Sequence, residues 1–287
     1  MPPRWMKSST GRGAVHARFD PLYGALTDDR RWFPSPAHIL RRAALLDACA
    51  ELPPGRLLDL GCGAGRLLVD WHRRGHSGWG VDADPDARHL ARQCVEAFGA
   101  NFTIAATPPP AEVEQFDYLT IIEVLEHLPD PLEQLHAWLP HLREGGIAIA
   151  SVPVFMRLWG KSDEWAGHVQ RFEPDAFAGL MQRVGLQVLT TRLYGYPLAN
   201  ITRIAGNLSS AFKMLCRSDA TDREAATMAS GRDRTTESML RRLLLAKPAA
   251  TVLRMGVAAQ RREWSDRRGI GIIAIARKPT PQSTTAV

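Results

Sequence analysis

Residues 57–65, Leu57-Leu58-Asp59-Leu60-Gly61-Cys62-Gly63-Ala64-Gly65, constrain this chain more than any other stretch. An apolar run ends in an acid, and three glycines then fall at every second position. Glycine lacks a Cβ, so a backbone carrying three of them can turn sharply and let a ligand approach closely. Arg66-Leu67-Leu68-Val69-Asp70-Trp71 follows as the opening of a helix, whose first turn offers N–H groups and a partial positive charge. Strand, glycine turn and helix in that order make a site for a nucleotide-type cofactor. A dinucleotide fingerprint needs a glycine at position 66, where Arg66 stands.

A second short strand, Gly78-Trp79-Gly80-Val81-Asp82, also ends in an acid. Asp82 lies about 20 residues past the first glycine, where a carboxylate can accept hydrogen bonds from both ribose hydroxyls. The pattern D-x-G-x-G-x-G (Asp59, Gly61, Gly63, Gly65) resembles the S-adenosylmethionine loop of class I methyltransferases. The resemblance implies S-adenosylmethionine as cofactor, held by Asp59, Gly61, Cys62 through its backbone, Gly63, Gly65, Asp82, Ala83 and Glu123. The plain alternative is a structural βαβ unit with solvated acids, which would need neither carboxylate.

From Gly55 onward the chain alternates strand and helix. Strands are expected at 56–60, 78–82, 101–105, 116–122, 147–152 and 186–193, with helices opening at about 64, at Asp84-Pro85, at Asp130-Pro131 and at Glu173-Pro174. Such spacing predicts an α/β fold with a doubly wound, mostly parallel sheet. The resemblance makes that sheet seven-stranded and Rossmann-like. The seventh strand, expected at 269–278, comes some 70 residues late, so 195–267 reads as a helical insertion before it. The expected organisation is an N-terminal cover at 1–50, a cofactor-binding core at 51–194 and 268–279, the insertion, and a disordered tail at 280–287. Within the cover, residues 1–36 read as irregular and aromatic-rich (Trp5, Phe19, Tyr23, Trp32, Phe33). Helical spacing begins near His38, with Ile39, Leu40, Ala43, Ala44 and Leu46.

Glu123-Val124-Leu125-Glu126-His127 follows the fourth strand. On a helical turn, positions i, i+3 and i+4 share a face, which would aim two carboxylates and an imidazole at the ligand edge of the sheet. His168, in the loop after strand five, should return over that edge. This E-x-x-E-H with a later histidine resembles the ubiquinone-pathway O-methyltransferases. It also resembles small-RNA 2′-hydroxyl methyltransferases, in which the corresponding groups bind a divalent metal. Three readings stand open. Glu123, Glu126, His127 and His168 hold Mg²⁺ or Zn²⁺; or Glu126, His127 and His168 act catalytically without metal, His127 as general base; or the cluster only packs. The other histidines, His72, His76, His89, His136 and His141, read as surface residues.

Composition narrows the partners. The chain carries a net +6 over 287 residues, yet Gly195 to Arg268 alone holds 14 Lys and Arg against 7 Asp and Glu. The basicity therefore belongs to the insertion. Leu198, Ile201, Ile204, Leu208, Phe212 and Leu215 mark an apolar face there, suited to roofing the site, to dimerisation, or to an anionic membrane surface. Few aromatics accompany the charge, which disfavours nucleic acid. With no apolar leader and no apolar run of membrane-spanning length, a cytoplasmic protein is expected, with peripheral membrane contact as an option. The overall expectation is O-methylation of a small, lipophilic acceptor. The alternatives are an RNA-type metal-dependent 2′-O-methyltransferase and an inactive cofactor-binding module.

Overall fold

The computed structural model describes residues 17–27, 33–215, 246–262 and 268–280. Seven strands form one sheet: β3 (Arg56–Leu60), β4 (Ser77–Val81), β5 (Phe102–Ala105), β6 (Phe116–Ile122), β7 (Leu142–Pro153), β8 (Gln187–Tyr194) and β9 (Gly271–Arg277). Their order is β5-β4-β3-β6-β7-β9-β8, and only β9 runs antiparallel to its neighbours. The strand direction reverses its winding between β3 and β6, so the carboxyl ends of those two strands flank a crevice. Both sheet faces are buried, one under Leu58, Leu119, Ile121, Phe177 and Met181, the other under Leu57, Leu68, Trp71 and Ile149.

Helices α2 (Arg66–Arg73), α3 (Pro85–Ala97), α4 (Pro131–Trp138) and α6 (Pro174–Arg183) supply the layers. Proline stands at the first turn of α3, α4 and α6, where a missing N–H leaves no bond unmade. The carboxylates of Asp84 and Asp130 cap α3 and α4. The fifth expected strand starts earlier than its sequence suggests. Gly145-Gly146 does not precede β7 but sits inside it, in an irregular stretch where Phe116 pairs with Leu142 and Tyr118 with Ile147.

The N-terminal piece also departs from expectation. Residues 17–27 are not irregular but form a hairpin, β1 (Ala17–Asp20) with β2 (Gly24–Thr27), closed by the Asp20 carboxylate accepting from the amides of Leu22 and Tyr23. It rests on α2 through Arg42, which binds Asp70 with two bonds (2.7 and 2.5 Å), and through Arg66, which reaches Thr27 at 2.8 Å. Helix α1 (Pro36–Ala48) follows, capped by Ser35. Tyr23, Leu26, Phe33 and Ile39 pack with Ala250 and Leu253 of α8 (Lys247–Arg262), so the cover and the insertion share one small core. Trp5, Trp32 and the tail at 281–287 lie outside the described residues.

In the insertion, α7 (Leu198–Leu215) carries its apolar ridge outward: Ile201, Ile204 and Leu208 are 65%, 69% and 76% exposed. The side chains of Phe212 and Leu215, and residues 216–245 with the expected helix at Met239, Leu240, Leu243 and Leu244, lie outside the described residues. His76 is another correction. It is 2% exposed, between the rings of Trp71 and Tyr118, rather than on the surface.

Candidate active site

The glycine loop joins β3 to α2 at the carboxyl edge of the sheet. Gly61, Gly63 and Gly65 have φ of +75°, +52° and +71°, the left-handed region that side chains disfavour. A Cβ at Gly61 would strike the Val124 side chain, and one at Gly65 would come within 3.0 Å of Ala91. The amides of Gly61 and Cys62 both donate to the Val81 carbonyl, at 2.8 and 2.9 Å. The Cys62 N–H is thus committed within the protein, and burial pushes its thiol pKa well up.

Asp82 is half-buried beside the loop. Its Oδ2 accepts from Gly63 N at 2.8 Å and its Oδ1 from Asp84 N at 2.9 Å, which leaves each oxygen a further lone pair. Burial raises its pKa against the pull of those two amides. Ala83 beside it is exposed. Asp59, 2% exposed, instead accepts from the Thr120 hydroxyl at 2.5 Å, and burial pushes its pKa up to about 7.

The second cluster follows β6. The turn Leu125–His127 is a single 3₁₀ turn that begins after Glu123. Glu123 itself has φ +57°, an uncommon conformation for a residue with a side chain. The expected shared helical face of Glu123, Glu126 and His127 therefore does not form. The Glu123 carboxylate meets Arg41 of α1 at 3.0 Å, the Ser151 hydroxyl at 3.0 Å and the Tyr194 hydroxyl at 3.2 Å. Burial alone would raise its pKa; the Arg41 guanidinium and the other donors outweigh that and hold it below the usual carboxylate range.

Glu126, His127 and His168 do come together. One donor atom from each lies within 4.8 Å of the others. The imidazole rings meet edge to face at 4.8 Å, and His168 Nε2 is 3.8 Å from Glu126 Oε1. His168 arrives on the loop after α5 (Lys161–Ala166), which is clasped to the 3₁₀ turn by Val169 N donating to Glu126 O at 2.9 Å and by Gln170 donating to Leu128 O at 3.1 Å. The Glu126 side chain is 0% exposed and neither carboxylate oxygen has a hydrogen-bond partner. Burial, and then the charge of Glu123, drive its pKa well above the usual range. Burial and the neighbouring His168 lower His127 to about 4.

A buried carboxylate without a partner is costly unless a proton or a cation satisfies it. With two imidazoles beside it, Glu126 makes a donor set that fits Mg²⁺, Mn²⁺ or Zn²⁺. Among the described residues this is the one such grouping of three, and Glu123 is not in it. Arg41, Ser151, Tyr194, Thr120 and Asp163 were not singled out from the sequence. Thr120 and Ser151 are polar residues near the carboxyl ends of apolar strands, a signal that could have found them, whereas Tyr194 ends a strand of mixed polarity. Arg41 and Asp163 lie in ordinary helical patterns and carry none.

The glycine loop, the acid after β4 and the sheet order define an open α/β cofactor-binding protein whose ligands sit at the carboxyl edge. A family model described as a methyltransferase domain matches residues 31–191, more than half the chain. The chain belongs to the class I S-adenosylmethionine-dependent methyltransferase family. It is 36% identical to the ubiquinone biosynthesis O-methyltransferase of Hahella chejuensis over 100 residues, 33% of this chain and 42% of that protein. A namesake from Paracidovorax citrulli is 27% identical over 195 residues, 61% of this chain and 82% of its own. Several of these relatives are matched over only about two fifths of their length. Among solved structures, the [4+2]-cyclase SpnF superposes with a TM-score of 0.52 at 16% identity, covering 91% of this chain and 89% of that one. The YcgJ protein of Bacillus subtilis gives 0.50 at 15% identity, covering 84% and 99%. At these identities the likeness is one of fold.

Proposed function

We propose that this protein transfers the methyl group of S-adenosylmethionine to a hydroxyl oxygen of a small, lipophilic acceptor. The observation that carries the oxygen acceptor is the trio of Glu126, His127 and His168, in which the buried Glu126 carboxylate lacks any hydrogen-bond partner. The relatives named as ubiquinone biosynthesis O-methyltransferases agree with that reading.

Bound at the glycine loop, the cofactor supplies an electrophilic sulfonium methyl. Asp82 uses its remaining lone pairs to accept from the ribose hydroxyls, and the turn at Gly61 to Gly65 lets the backbone close on the ligand. Arg41 is the cation beside Glu123 and suits the carboxylate at the cofactor's amino-acid end. Glu126, His127 and His168 would hold a divalent cation, whose charge lowers the pKa of a coordinated hydroxyl. The low pKa of His127, about 4, favours this over its acting alone as general base, because so weak a base takes a hydroxyl proton poorly at neutral pH. Orientation of acceptor and cofactor then contributes much of the rate.

Titration calorimetry of the full chain tests the cofactor. Wild type should bind S-adenosylmethionine in the micromolar range and NAD not at all. Asp82→Ala should lose about 1–3 kcal/mol of cofactor affinity, since two hydroxyls lose their acceptor. Unchanged affinity would remove Asp82 from the site. Exhaustive EDTA treatment tests the cation: transfer to phenolic acceptors should fall and return with added Mg²⁺, Mn²⁺ or Zn²⁺. Full activity after EDTA, with His127→Ala still inactive, would shift the reading to metal-free base catalysis.

The outward ridge of Ile201, Ile204 and Leu208 on a basic segment supports a peripheral contact with anionic membrane, from which a lipophilic acceptor could be drawn. No helix among the described residues is long and apolar enough to cross a membrane.

A further inference from the structure

The insertion reaches His168, the third member of the trio, in two steps. Asn207 of α7 accepts from the Ser162 amide at 3.1 Å and the Ser162 hydroxyl at 2.7 Å. Arg203, one turn earlier, donates to the Leu158 carbonyl at 3.4 Å. The first contact holds the start of the short helix α5, and the second holds the 3₁₀ turn just before it. The third residue of that helix is Asp163, 1% exposed.

The two oxygens of Asp163 have different work. Oδ2 accepts from Gly160 N at 2.9 Å and closes the first turn of α5. Oδ1 lies 2.9 Å from His168 Nδ1 and 2.8 Å from Arg171 Nε. Arg171 also donates to the Val154 carbonyl at 3.0 Å, just past the end of β7, so the group is anchored to the sheet. Both Asp163 oxygens already accept, Oδ2 from Gly160 N and Oδ1 from Arg171 Nε, so the carboxylate meets His168 Nδ1 as an acceptor as well. The hydrogen of a neutral His168 ring therefore belongs on Nδ1, and the lone pair is left on Nε2, the atom 3.8 Å from Glu126 Oε1.

We propose that Asp163 is a positioning residue that fixes His168 in the Nδ1–H tautomer and aims its Nε2 at Glu126 and His127, with α7 steadying Asp163 through Asn207. The inference rests on reading the trio as the reactive centre, and gives the insertion a part in building it. A bare capping role would need only Oδ2 and no charge. The double acceptance at Oδ1 asks for a carboxylate, and outer partners of this kind set the orientation and basicity of a ligating imidazole.

Long-range ¹H–¹⁵N correlation spectra of the full chain, free of metal and at a pH where the His168 ring carries a single proton, read the tautomer directly. His168 should show a protonated Nδ1 and an unprotonated Nε2; a protonated Nε2 overturns the proposal. In Asp163→Asn the amide can present either end, so the two tautomers should mix. Zn²⁺ and Mn²⁺ should then bind about ten- to hundredfold more weakly by calorimetry. Asn207→Leu keeps both oxygens of Asp163 and should weaken metal binding in the same direction by less, with the melting temperature little changed. Unaltered tautomer and metal affinity in both variants would sink the idea, and if Asp163→Asn does not fold, the wild-type spectrum and Asn207→Leu still decide. Wild type that binds no metal but shows the expected tautomer would refute the cation reading alone, leaving Asp163 to orient His168 as a base.

Discussion

Asp59 shows how a single buried carboxylate can cost stability at working pH. Its folded pKa of about 7 lies above the value of about 3.9 expected of an unfolded chain. The native state therefore holds this proton more tightly than the unfolded state. The stability so contributed is fully present below about pH 4 and is lost as pH rises through 7. Three pKa units correspond to about 4 kcal/mol. Asp59→Asn keeps an acceptor for the Thr120 hydroxyl and removes the ionisation. Its stability relative to wild type, from urea unfolding, should improve between pH 4 and pH 8; a difference that stays constant with pH would show that Asp59 is not the titrating group. Glu123 teaches a different lesson at the same scale. The sequence spacing placed it with Glu126 and His127, but one left-handed residue changes which way a carboxylate faces, and no periodicity reports a positive φ outside glycine. Glu123→Ala should therefore weaken cofactor binding, by loosening Arg41, more than it weakens metal binding. The reverse order would restore it to the metal set.

Helix α8 was expected to belong to an appendage, and its packing makes it part of the cover instead. Gln260, 2% exposed, donates to the Leu40 carbonyl of α1 at 2.9 Å and accepts from the Gly195 amide at 3.0 Å, so one side chain ties three segments. Gln260→Ala would leave the Gly195 N–H buried without an acceptor and should cost about 1–3 kcal/mol in unfolding free energy. A change within about 0.5 kcal/mol, the range of ordinary surface substitutions, would mean that water replaces it. The glycine loop lies outside residues 198–262, which by itself would let a deletion of that span spare cofactor binding. The shared core of Tyr23, Leu26, Phe33, Ile39, Ala250 and Leu253 argues otherwise. Such a deletion strips α1 of its packing and should loosen Arg41 as well. Most other elements were legible: β6 matches its expected bounds, and the Asp-Pro openings of α3 and α4 need no tertiary context. The hairpin at 17–27 was not, because four-residue strands held by Arg42 and Arg66 from distant helices leave little trace in local pattern.

For the whole molecule, fold and cofactor class could be read from the glycines and acids, whereas the site's inner wiring could not. Arg41 and Tyr194 meet Glu123 only through long-range packing, and Asp163 meets His168 and Arg171 only because the loop after α5 folds back on it. The SpnF likeness adds a caution, since a protein named as a cyclase shares this architecture at a TM-score of 0.52 and the fold alone does not dictate the reaction. The apolar ridge of α7 offers a separate test. Replacing Ile201, Ile204 and Leu208 by serine should leave the melting temperature near wild type, because all three are exposed, while abolishing salt-sensitive sedimentation with anionic liposomes. Retained sedimentation would exclude the ridge as the contact. The antiparallel β9 carries a further consequence, one for the order in which the chain is made. It lies between β7 and β8, pairing Ile147 with Arg277 on one side and Tyr194 with Gly271 on the other. On the ribosome, β8 thus emerges with no neighbour to bind and must wait, both edges bare, while the entire basic insertion is synthesised. Bare strand edges are templates for association. A nascent chain halted before Gly269 should accordingly be captured by chaperones or aggregate, and release from that state should coincide with the appearance of β9.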